Sequence, residues 1–413
     1  MSSIALLGYG VVGSGVVELI EKNRDKLKEK NGESLNIAKI LVRDKKKHQK
    51  KKYQELLTED IEEIFREKVD VVVEVMGGLH PAYEYVKRAL RLKKSVITAN
   101  KDLIAEHGKE LLDLAKENGV TLHFEASVGG GIPILKSLRE CLVGNEIKEI
   151  KAIINGTTNF ILSKMYKESM SYKEALRLAQ EFGFAEAQPE ADVLGYDAGR
   201  KLSILSTIAY DRRVDWKMID IDGITDIDEI DFKYAKKFHS NIKLVGVSRR
   251  EEKGIYAVVK PMLVQANSTL GRIENENNAI IIDGDAVGEV VFSGKGAGML
   301  PTASAVFSDV VDTFSKREND LVFNSEIAEI KSYFEFPGEW MIRFKGEESL
   351  PVIRRLHESF KSCITEVYKE DISEVQVIAL VKAENERELN RKVKEIEEDT
   401  KTVLVKKLRK LDS

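Results

Sequence analysis

Cysteine, long apolar runs and charge of one sign are all scarce in this chain, and each scarcity removes a class of protein. Only two cysteines occur among 413 residues, Cys141 and Cys363. They lie far apart and outside any C-x-x-C spacing, so neither a disulfide framework nor a zinc site is expected, and a reducing cytoplasm is. No apolar run approaches the ~20 residues that span a bilayer. The N-terminus lacks the basic leader of a signal peptide, and glycines follow its first apolar run at once. The net charge is only -4, too small for a global pull toward nucleic acid or a membrane. What remains is an ordinary globular balance, 43% hydrophobic and 32% charged. Its Lys and Glu content, with few His, hints at a heat-tolerant source. At this length two or three domains are expected.

Through roughly residue 130, short apolar runs alternate with amphipathic stretches. Strands are predicted at Ile4–Leu7, Ile37–Val42, Val69–Val75, Ser95–Thr98 and Val120–Phe124. Helices are predicted over Val11–Lys30, from about Pro81 and from Lys101. This alternation implies an α/β fold, a Rossmann-like parallel sheet with right-handed crossovers. From about Gly144 to Gly296 the character changes to α+β, with helices at 157–182 and 192–210 before β-rich segments such as Ala279–Phe292. A glycine-rich loop, Gly294–Gly298, then leads into Pro301 and a helix to about Phe314. The last eighty or so residues read β-α-β-β-α-β, the order of a ferredoxin-like module. Its strands are predicted at Tyr333–Phe344, Ile364–Tyr368, Val375–Val381 and Val403–Leu408, and its helices at Leu350–Phe360 and Glu384–Thr400. The one low-complexity stretch is the lysine cluster Lys45–Lys47 and Lys50–Lys52.

Gly8-Tyr9-Gly10-Val11-Val12-Gly13 is a G-x-G-x-x-G between a strand and a helix. Gly8 permits the tight turn, Gly10 lets backbone approach a pyrophosphate, and Gly13 allows close helix–sheet packing. The helix start at Val11 and Val12 offers N–H groups and a positive dipole end to phosphates. In this context the motif points to a nicotinamide dinucleotide and a dehydrogenase. The second strand ends in Val42-Arg43-Asp44. A guanidinium suits a 2′-phosphate bidentately, so Arg43 with one nearby lysine favours NADP. Asp44 leaves NAD open. Most of the lysines read as a solvated loop.

Residues 185–201 hold Glu186, Asp192, Asp197 and Lys201. Asp197 and Lys201 lie four apart on a helix predicted to open near Asp192, so they share a face. Three acids and a lysine gathered this way could hold an ammonium group and deliver a proton. Taken by spacing alone, the plainer reading, an acid at a helix start and a surface ion pair, is the favoured one.

The whole string resembles the signature of homoserine dehydrogenase. Other matches follow in the same order: Thr98–Lys101, Glu125–Pro133, Asn155–Leu162, and Gly296–Gly298 before Pro301-Thr302. The resemblance covers roughly residues 3 to 320. Gln188 departs from it, standing where the family commonly has Asp or Asn before the proline. The resemblance implies reversible, NAD(P)H-dependent reduction of L-aspartate 4-semialdehyde to L-homoserine in threonine and methionine biosynthesis. It implies that Lys201 donates the proton and that Lys101 stands near the nicotinamide and the reacting oxygen. Glu186, Asp192 and Asp197 would bind the substrate amino group or orient Lys201. Thr98 and Lys101 would face the nicotinamide half, and Gly296 would return the chain to the cofactor. Main-chain oxygens of Glu125, Val128, Gly130 and Ile132 would bind a monovalent cation, sodium or potassium. The expected division is 1–134 with about 296–325 for the nucleotide, 135–295 for catalysis and dimerisation, and 330–413 for the C-terminal module. At least a dimer is implied, a homodimer or homotetramer.

Residues 330–413 resemble an ACT domain, on element order more than on a motif. That implies an amino-acid effector such as threonine, and a packing module without a ligand is the plainer alternative. Two rival functions fit these residues less well. Aspartate-semialdehyde dehydrogenase needs a nucleophilic cysteine, and neither Cys141 nor Cys363 is well placed. A nucleotide-fold sensor would be expected to lose Lys101, Lys201 or the acids, and all are present.

Overall fold

The structure, a computed structural model, describes residues 2–31, 34–49, 51–252, 254–314, 321–331, 335–371 and 375–411. Lys50 of the lysine cluster and Tyr333, the expected start of a strand, lie outside the described residues. The chain forms two compact units. Met1–Ile150, Arg200–Lys217 and Asn278–Ala328 make the first, and Lys151–Gly199, Met218–Asn277 and Glu329–Ser413 the second.

In the first unit, strands β1 (Ser2–Leu7), β2 (Leu35–Leu41), β3 (Leu57–Thr58), β4 (Val71–Glu74), β5 (Ser95–Thr98) and β6 (Leu122–His123) form one sheet. Their order is β3-β2-β1-β4-β5-β6, and every pair in it is parallel. This is the doubly wound dinucleotide-binding order, whose chain reversal between β1 and β4 opens a crevice at the strands' C-terminal ends. The central strands carry unbroken apolar runs because both of their faces are covered. Ile4, Leu6, Val71, Val73 and Ile97 share one core with Val306 and Val310 of the helix Met299–Phe314. That late helix packs tightly on Val11–Lys22: a Cβ at Gly15 would lie 2.7 Å from the Met299 carbonyl oxygen.

Three helices break where the apolar period alone does not warn of it. The stretch predicted over Val11–Lys30 is two helices, Val11–Lys22 and Arg24–Asn31, with Asn23 capping the first. The stretch at 157–182 is Gly156–Glu168 and Tyr172–Glu181, divided by Ser169 in the left-handed region (φ +53°) and restarted by a Ser171–Glu174 capping box. The helix predicted to open near Asp192 is a short turn, Glu190–Val193, and a separate helix, Tyr196–Tyr210; Gly195 between them has φ +84°. The amphipathic run near Leu135–Leu142 is helical, with a π-helical turn over Ser137–Cys141.

Following the chain, β7 (Ile147–Ile153) leads to β8 (Asp220–Ile221), β9 (Ser240–Arg250) and β10 (Ile255–Gln265) of the second unit. β9 and β10 pair antiparallel from Ser240↔Gln265 to Arg250↔Ile255. β11 (Asn277–Gly284) and β12 (Gly288–Lys295) are neighbours. The second unit then continues with β13 (Ile330–Lys331), β14 (Gly338–Gly346), β15 (Ile364–Asp371), β16 (Val375–Ala383) and β17 (Val403–Lys410). With helices Ser349–Phe360 and Glu386–Thr400, the last four strands follow the expected β-α-β-β-α-β order. They form an antiparallel sheet in the order β17-β14-β16-β15, which is a ferredoxin-like topology.

Candidate active site

The glycine loop of the first unit is dictated by backbone sterics. Gly8 has φ +105°, and a Cβ there would meet the Val75 carbonyl oxygen at 2.9 Å. At Gly13 a Cβ would lie 2.2 Å from the Gly8 carbonyl oxygen. At Gly10 it would meet nothing within 4 Å, so that side of the loop is open. The helix starting at Val11 thus presents its first N–H groups to a clear space. A crevice of ≈ 380 Å³ lies there, lined by Gly8, Gly10, Arg43, Lys47 and His48 among others. The cradle, the helix start and the basic rim fit a nicotinamide dinucleotide.

Lys51 of the cluster reaches this loop with its ammonium, and no local signal in the sequence distinguishes it. Its ammonium donates to the Tyr9 carbonyl (2.7 Å) and the Ser14 hydroxyl (2.7 Å). It also lies 4.5 Å over the Tyr9 ring, on which His48 stacks. Burial lowers the pKa of both Lys51 and His48. The Asp44 carboxylate is engaged locally, accepting the Lys46 N–H (2.8 Å).

At the end of β4 a buried acid, Glu74, organises the next group of residues. Burial raises its pKa, and it accepts the Thr98 hydroxyl (2.5 Å) and the Met76 N–H (2.8 Å). The Thr98 oxygen in turn accepts the Asn100 N–H (3.0 Å). Asn100 caps the helix that begins at Lys101. Thr98 and the start of the Lys101 helix are therefore joined by one chain of hydrogen bonds, which touches the glycine-loop crevice through Met76.

The residues next to the two lysines are themselves paired. Arg200 Nε lies 3.2 Å from Asp102, and its guanidinium sits 4.2 Å over the Trp216 ring. Trp216 Nε1 and Lys217 both donate to Glu106, at 2.8 and 2.7 Å.

The Glu125–Pro133 turn meets the late glycine loop backbone to backbone. Gly129 and Gly130 have φ +74° and +55°, and a Cβ at Gly130 would lie 2.3 Å from the Gly296 carbonyl oxygen. Gly131 N–H donates to the Lys295 carbonyl (3.0 Å). Gly296 is thus placed against this turn and under Asn278, where a Cβ would fall 1.9 Å from the side-chain amide. The Glu125 carboxylate accepts the Leu135 and Lys136 N–H groups (2.9 and 2.8 Å), bracing the turn. Burial, then the nearby Asp309, pushes the Glu125 carboxyl up to about 7. Ile132 O already accepts the Ile134 N–H (2.9 Å), and a carbonyl has a second lone pair for a cation. The oxygen-rich, glycine-bearing turn fits a hard monovalent ion. Among the described residues no group of three or more His, Cys, Asp or Glu could hold a metal.

In the second unit, Asn155 joins the acids, a role that sequence reading missed. Its Oδ1 caps the helix Gly156–Glu168 by accepting the Thr158 N–H (2.8 Å). That leaves Nδ2 to donate to Asp192 (2.7 Å) and Asp197 (2.8 Å) at once. Asp197 is buried, and Asp192 is half-buried. Two carboxylates gathered on one amide suit an ammonium group, which carries the charge and the donors they lack. The next residue, Gly156, packs too closely on the Glu276 carbonyl for any side chain. Glu186 is exposed; its carbonyl accepts the Gln180 amide (3.1 Å), and Thr157 donates to the Phe184 carbonyl (2.6 Å) close by. Lys201 follows Asp197 by one turn on the helix Tyr196–Tyr210.

The first unit's sheet order and glycine cradle define a nicotinamide-dependent oxidoreductase, and comparison with known proteins narrows that class. The "Homoserine dehydrogenase, NAD binding domain" family matches residues 8–125, and the "Homoserine dehydrogenase" family matches residues 133–311. A homoserine dehydrogenase of Bacillus subtilis is 44% identical over 324 residues, 78% of this chain and 75% of that protein. A crystallised homoserine dehydrogenase from Thiobacillus denitrificans superposes with a TM-score of 0.91 at 33% identity, covering 100% of this chain and 98% of that one. A hyperthermophilic archaeal homoserine dehydrogenase in complex with NADPH gives a TM-score of 0.65 at 31% identity, over 77% of this chain and 99% of that one. The chain belongs to the homoserine dehydrogenase family. It is an oxidoreductase that uses a nicotinamide dinucleotide and acts on a small molecule. Among the described residues no helix is long and apolar enough to cross a membrane.

Proposed function

We propose that the substrate's α-ammonium group is held by Asp192 and Asp197, with Glu186 beside them, while Lys201 protonates the carbonyl oxygen of L-aspartate 4-semialdehyde. The observation that carries this reading is the Asn155 amide, which gathers both aspartates at one point. When bound, the reduced nicotinamide supplies the hydride that ends on the aldehyde carbon. The chain's task is to deliver a proton to the oxygen left behind and to stabilise its charge. Lys201 is the donor in this scheme, and Lys101, at the start of its helix, is the second positive charge.

NADP is the favoured cofactor. Arg43 and Lys47 on the crevice rim support it, as does the archaeal relative's complex with NADPH. A sodium or potassium ion at the main-chain oxygens of Glu125, Val128, Gly130 and Ile132 would lock the turn that backs onto Gly296. The C-terminal module, residues 330–413, is read as an ACT-like regulator responding to threonine, and its ferredoxin-like sheet order supports that. Residues 1–134 with 296–325 and residues 135–295 remain the proposed nucleotide and catalytic segments. A cytoplasmic homodimer or homotetramer completes the reading.

NADPH oxidation with aspartate semialdehyde in phosphate-free buffer tests the reaction. Lys201→Ala is expected to lower kcat by roughly 10²- to 10⁴-fold with unchanged Tm. Near-normal turnover would remove Lys201 from the mechanism.

A further inference from the structure

Three charged residues of the first unit close a ring of bonds that the proposed chemistry does not use. Asp309 is buried on the helix Met299–Phe314. Its carboxylate accepts the Glu125 N–H (2.9 Å), 184 positions away along the chain. The Glu125 carboxylate in turn accepts the Lys136 N–H (2.8 Å). The Lys136 ammonium then returns to Asp309 (3.1 Å), while also donating to Ser308 (2.7 Å) and pairing with Asp312. The entry and the exit of residues 125–136 are thus both pinned to one carboxylate.

This ring is shut away from water. A cavity of ≈ 10 Å³ beside Glu125, Lys136 and Asp309 admits one water at most. Taking two acids and a lysine out of solvent is costly, and apolar side chains of similar volume would often close such a turn at no loss of stability. What the charged groups add is direction, because charge-assisted bonds are short and geometrically exacting. Direction matters here because Gly129, Gly130 and Gly131 lie between the two pins. Three successive glycines leave the backbone many conformations unless its ends are fixed.

The same helix meets the turn a second time. A Cβ at Gly131 would lie 2.9 Å from the Pro301 Cβ. Pro301 and Asp309 are eight residues apart on the helix, ~12 Å along its axis. The helix therefore splints the turn at two points, while Met299 at its start rests against Gly15 behind the glycine loop. We propose that Asp309 is a positioning residue for the cation turn. By pinning Glu125 and Lys136 it restricts the main-chain oxygens of Glu125, Val128, Gly130 and Ile132 before an ion arrives. A site ordered in advance binds more tightly, because less order has to be imposed on binding. The inference rests on reading this turn as a monovalent-cation site; the ring of bonds itself does not.

Thermal denaturation of the full-length enzyme in KCl or NaCl tests it, with tetramethylammonium chloride holding the ionic strength constant. An ion that binds the folded state raises Tm, and the rise sets in near its Kd. Asp309→Ala removes the acceptor, and the onset is expected to move to about 10-fold higher salt or more. Asp309→Asn keeps one acceptor for the Glu125 N–H, so a smaller displacement, about 3-fold, is expected. Asp312→Asn weakens the Lys136 pairing but leaves the bond between Glu125 and Asp309 in place. It is expected to lower Tm without the ion and to leave the onset near the wild-type value. An unchanged onset in Asp309→Ala, or in Asp309→Asn should the alanine variant not fold, overturns the positioning role and leaves the ion reading standing. Equal displacement by Asp309→Asn and Asp312→Asn also overturns it, since the ring would then serve stability alone. A wild-type Tm indifferent to both salts refutes the ion reading, and the positioning role with it.

Discussion

The glycine loop in the first unit and the asparagine–acid cluster in the second are built on opposite principles. At Gly8, Gly10 and Gly13 the side chains have been removed so that backbone can approach backbone or a phosphate. At Asn155, Asp192 and Asp197 the backbone is ordinary and three side chains form the device. A site made by subtraction is sensitive to added volume, whereas one made by hydrogen bonds is sensitive to the identity of a single atom.

The largest effect is expected inside the glycine loop itself. Gly13→Ala places a methyl group 2.2 Å from the Gly8 carbonyl oxygen, and relief requires movement of backbone on both sides. We expect a loss of about 3 kcal/mol or more, read as a lower Tm, together with loss of NADPH binding. Gly10→Ala meets nothing in the protein, so Tm is expected to hold while the NADPH KM rises. Equal effects of the two substitutions on Tm would show that the loop is not divided into a packing glycine and a ligand-facing one.

Next in size is the amide in the acid cluster. Asn155→Ser keeps a competent helix cap but cannot reach either aspartate. Removing hydrogen bonds to charged groups is worth roughly 1.5–3 kcal/mol. The homoserine KM is therefore expected to rise by roughly 10- to 100-fold, with the NADPH KM and Tm close to wild type. If Asn155→Ser changes Tm and leaves KM alone, the asparagine is only a cap.

A smaller effect belongs to the contacts beside the two lysines. Asp102 follows Lys101 and Arg200 precedes Lys201, so the Arg200–Asp102 pair (3.2 Å), laid on Trp216, ties two lysine-bearing helices together. Arg200→Met keeps the packing volume and loses the charge. We expect kcat to fall roughly 3- to 10-fold through misplacement of the lysines, without a change in the NADPH KM. Arg200→Lys should restore part of it. A positioning role also requires that Asp102→Asn add little to Arg200→Met, and additive losses would argue for two independent surface contacts.

These two kinds of site were unequally legible in the sequence. The glycine loop is legible because its cause lies within six residues and in one physical fact, the missing Cβ. The parallel sheet follows from short buried runs between amphipathic helices, and the C-terminal element order from the same periodicities. The acid cluster was legible only through resemblance, because Asn155 lies 37 and 42 residues from its partners. Thr98 and Glu74 are likewise 24 residues apart. Lys51 is hidden among chemically identical neighbours, and only its contacts with Tyr9 and Ser14 set it apart. The breaks at Ser169 and Gly195 were missed for a different reason: both flanking helices continue the apolar period, and a single left-handed residue carries no periodic signature.

The smallest effect on activity, read instead in the pH dependence of stability, concerns the other asparagine of the same motif. Asn159 donates to the Asn275 and Asn277 carbonyls (2.9 and 3.0 Å), and its Oδ1 accepts from the buried Lys243 ammonium (2.9 Å). Lys243 also donates to the Ile273 carbonyl (2.5 Å), so it fastens the strap whose Glu276 packs on Gly156. Burial holds the Lys243 pKa down to about 7, against ~10.4 for an unfolded lysine. Between those values the unfolded chain binds the extra proton, so this residue makes stability increase with pH from about 7 to about 10. Below pH 7 both states are charged and the burial penalty is present in full. Lys243→Met is expected to flatten the wild-type rise in Tm over that alkaline window while leaving neutral-pH kcat nearly unchanged. Should the slope persist, the lysine is not titrating where it is buried. Should kcat fall sharply instead, the strap behind Gly156 is part of the substrate site, and the hydrogen-bonded cluster extends further from the acids than Asn155.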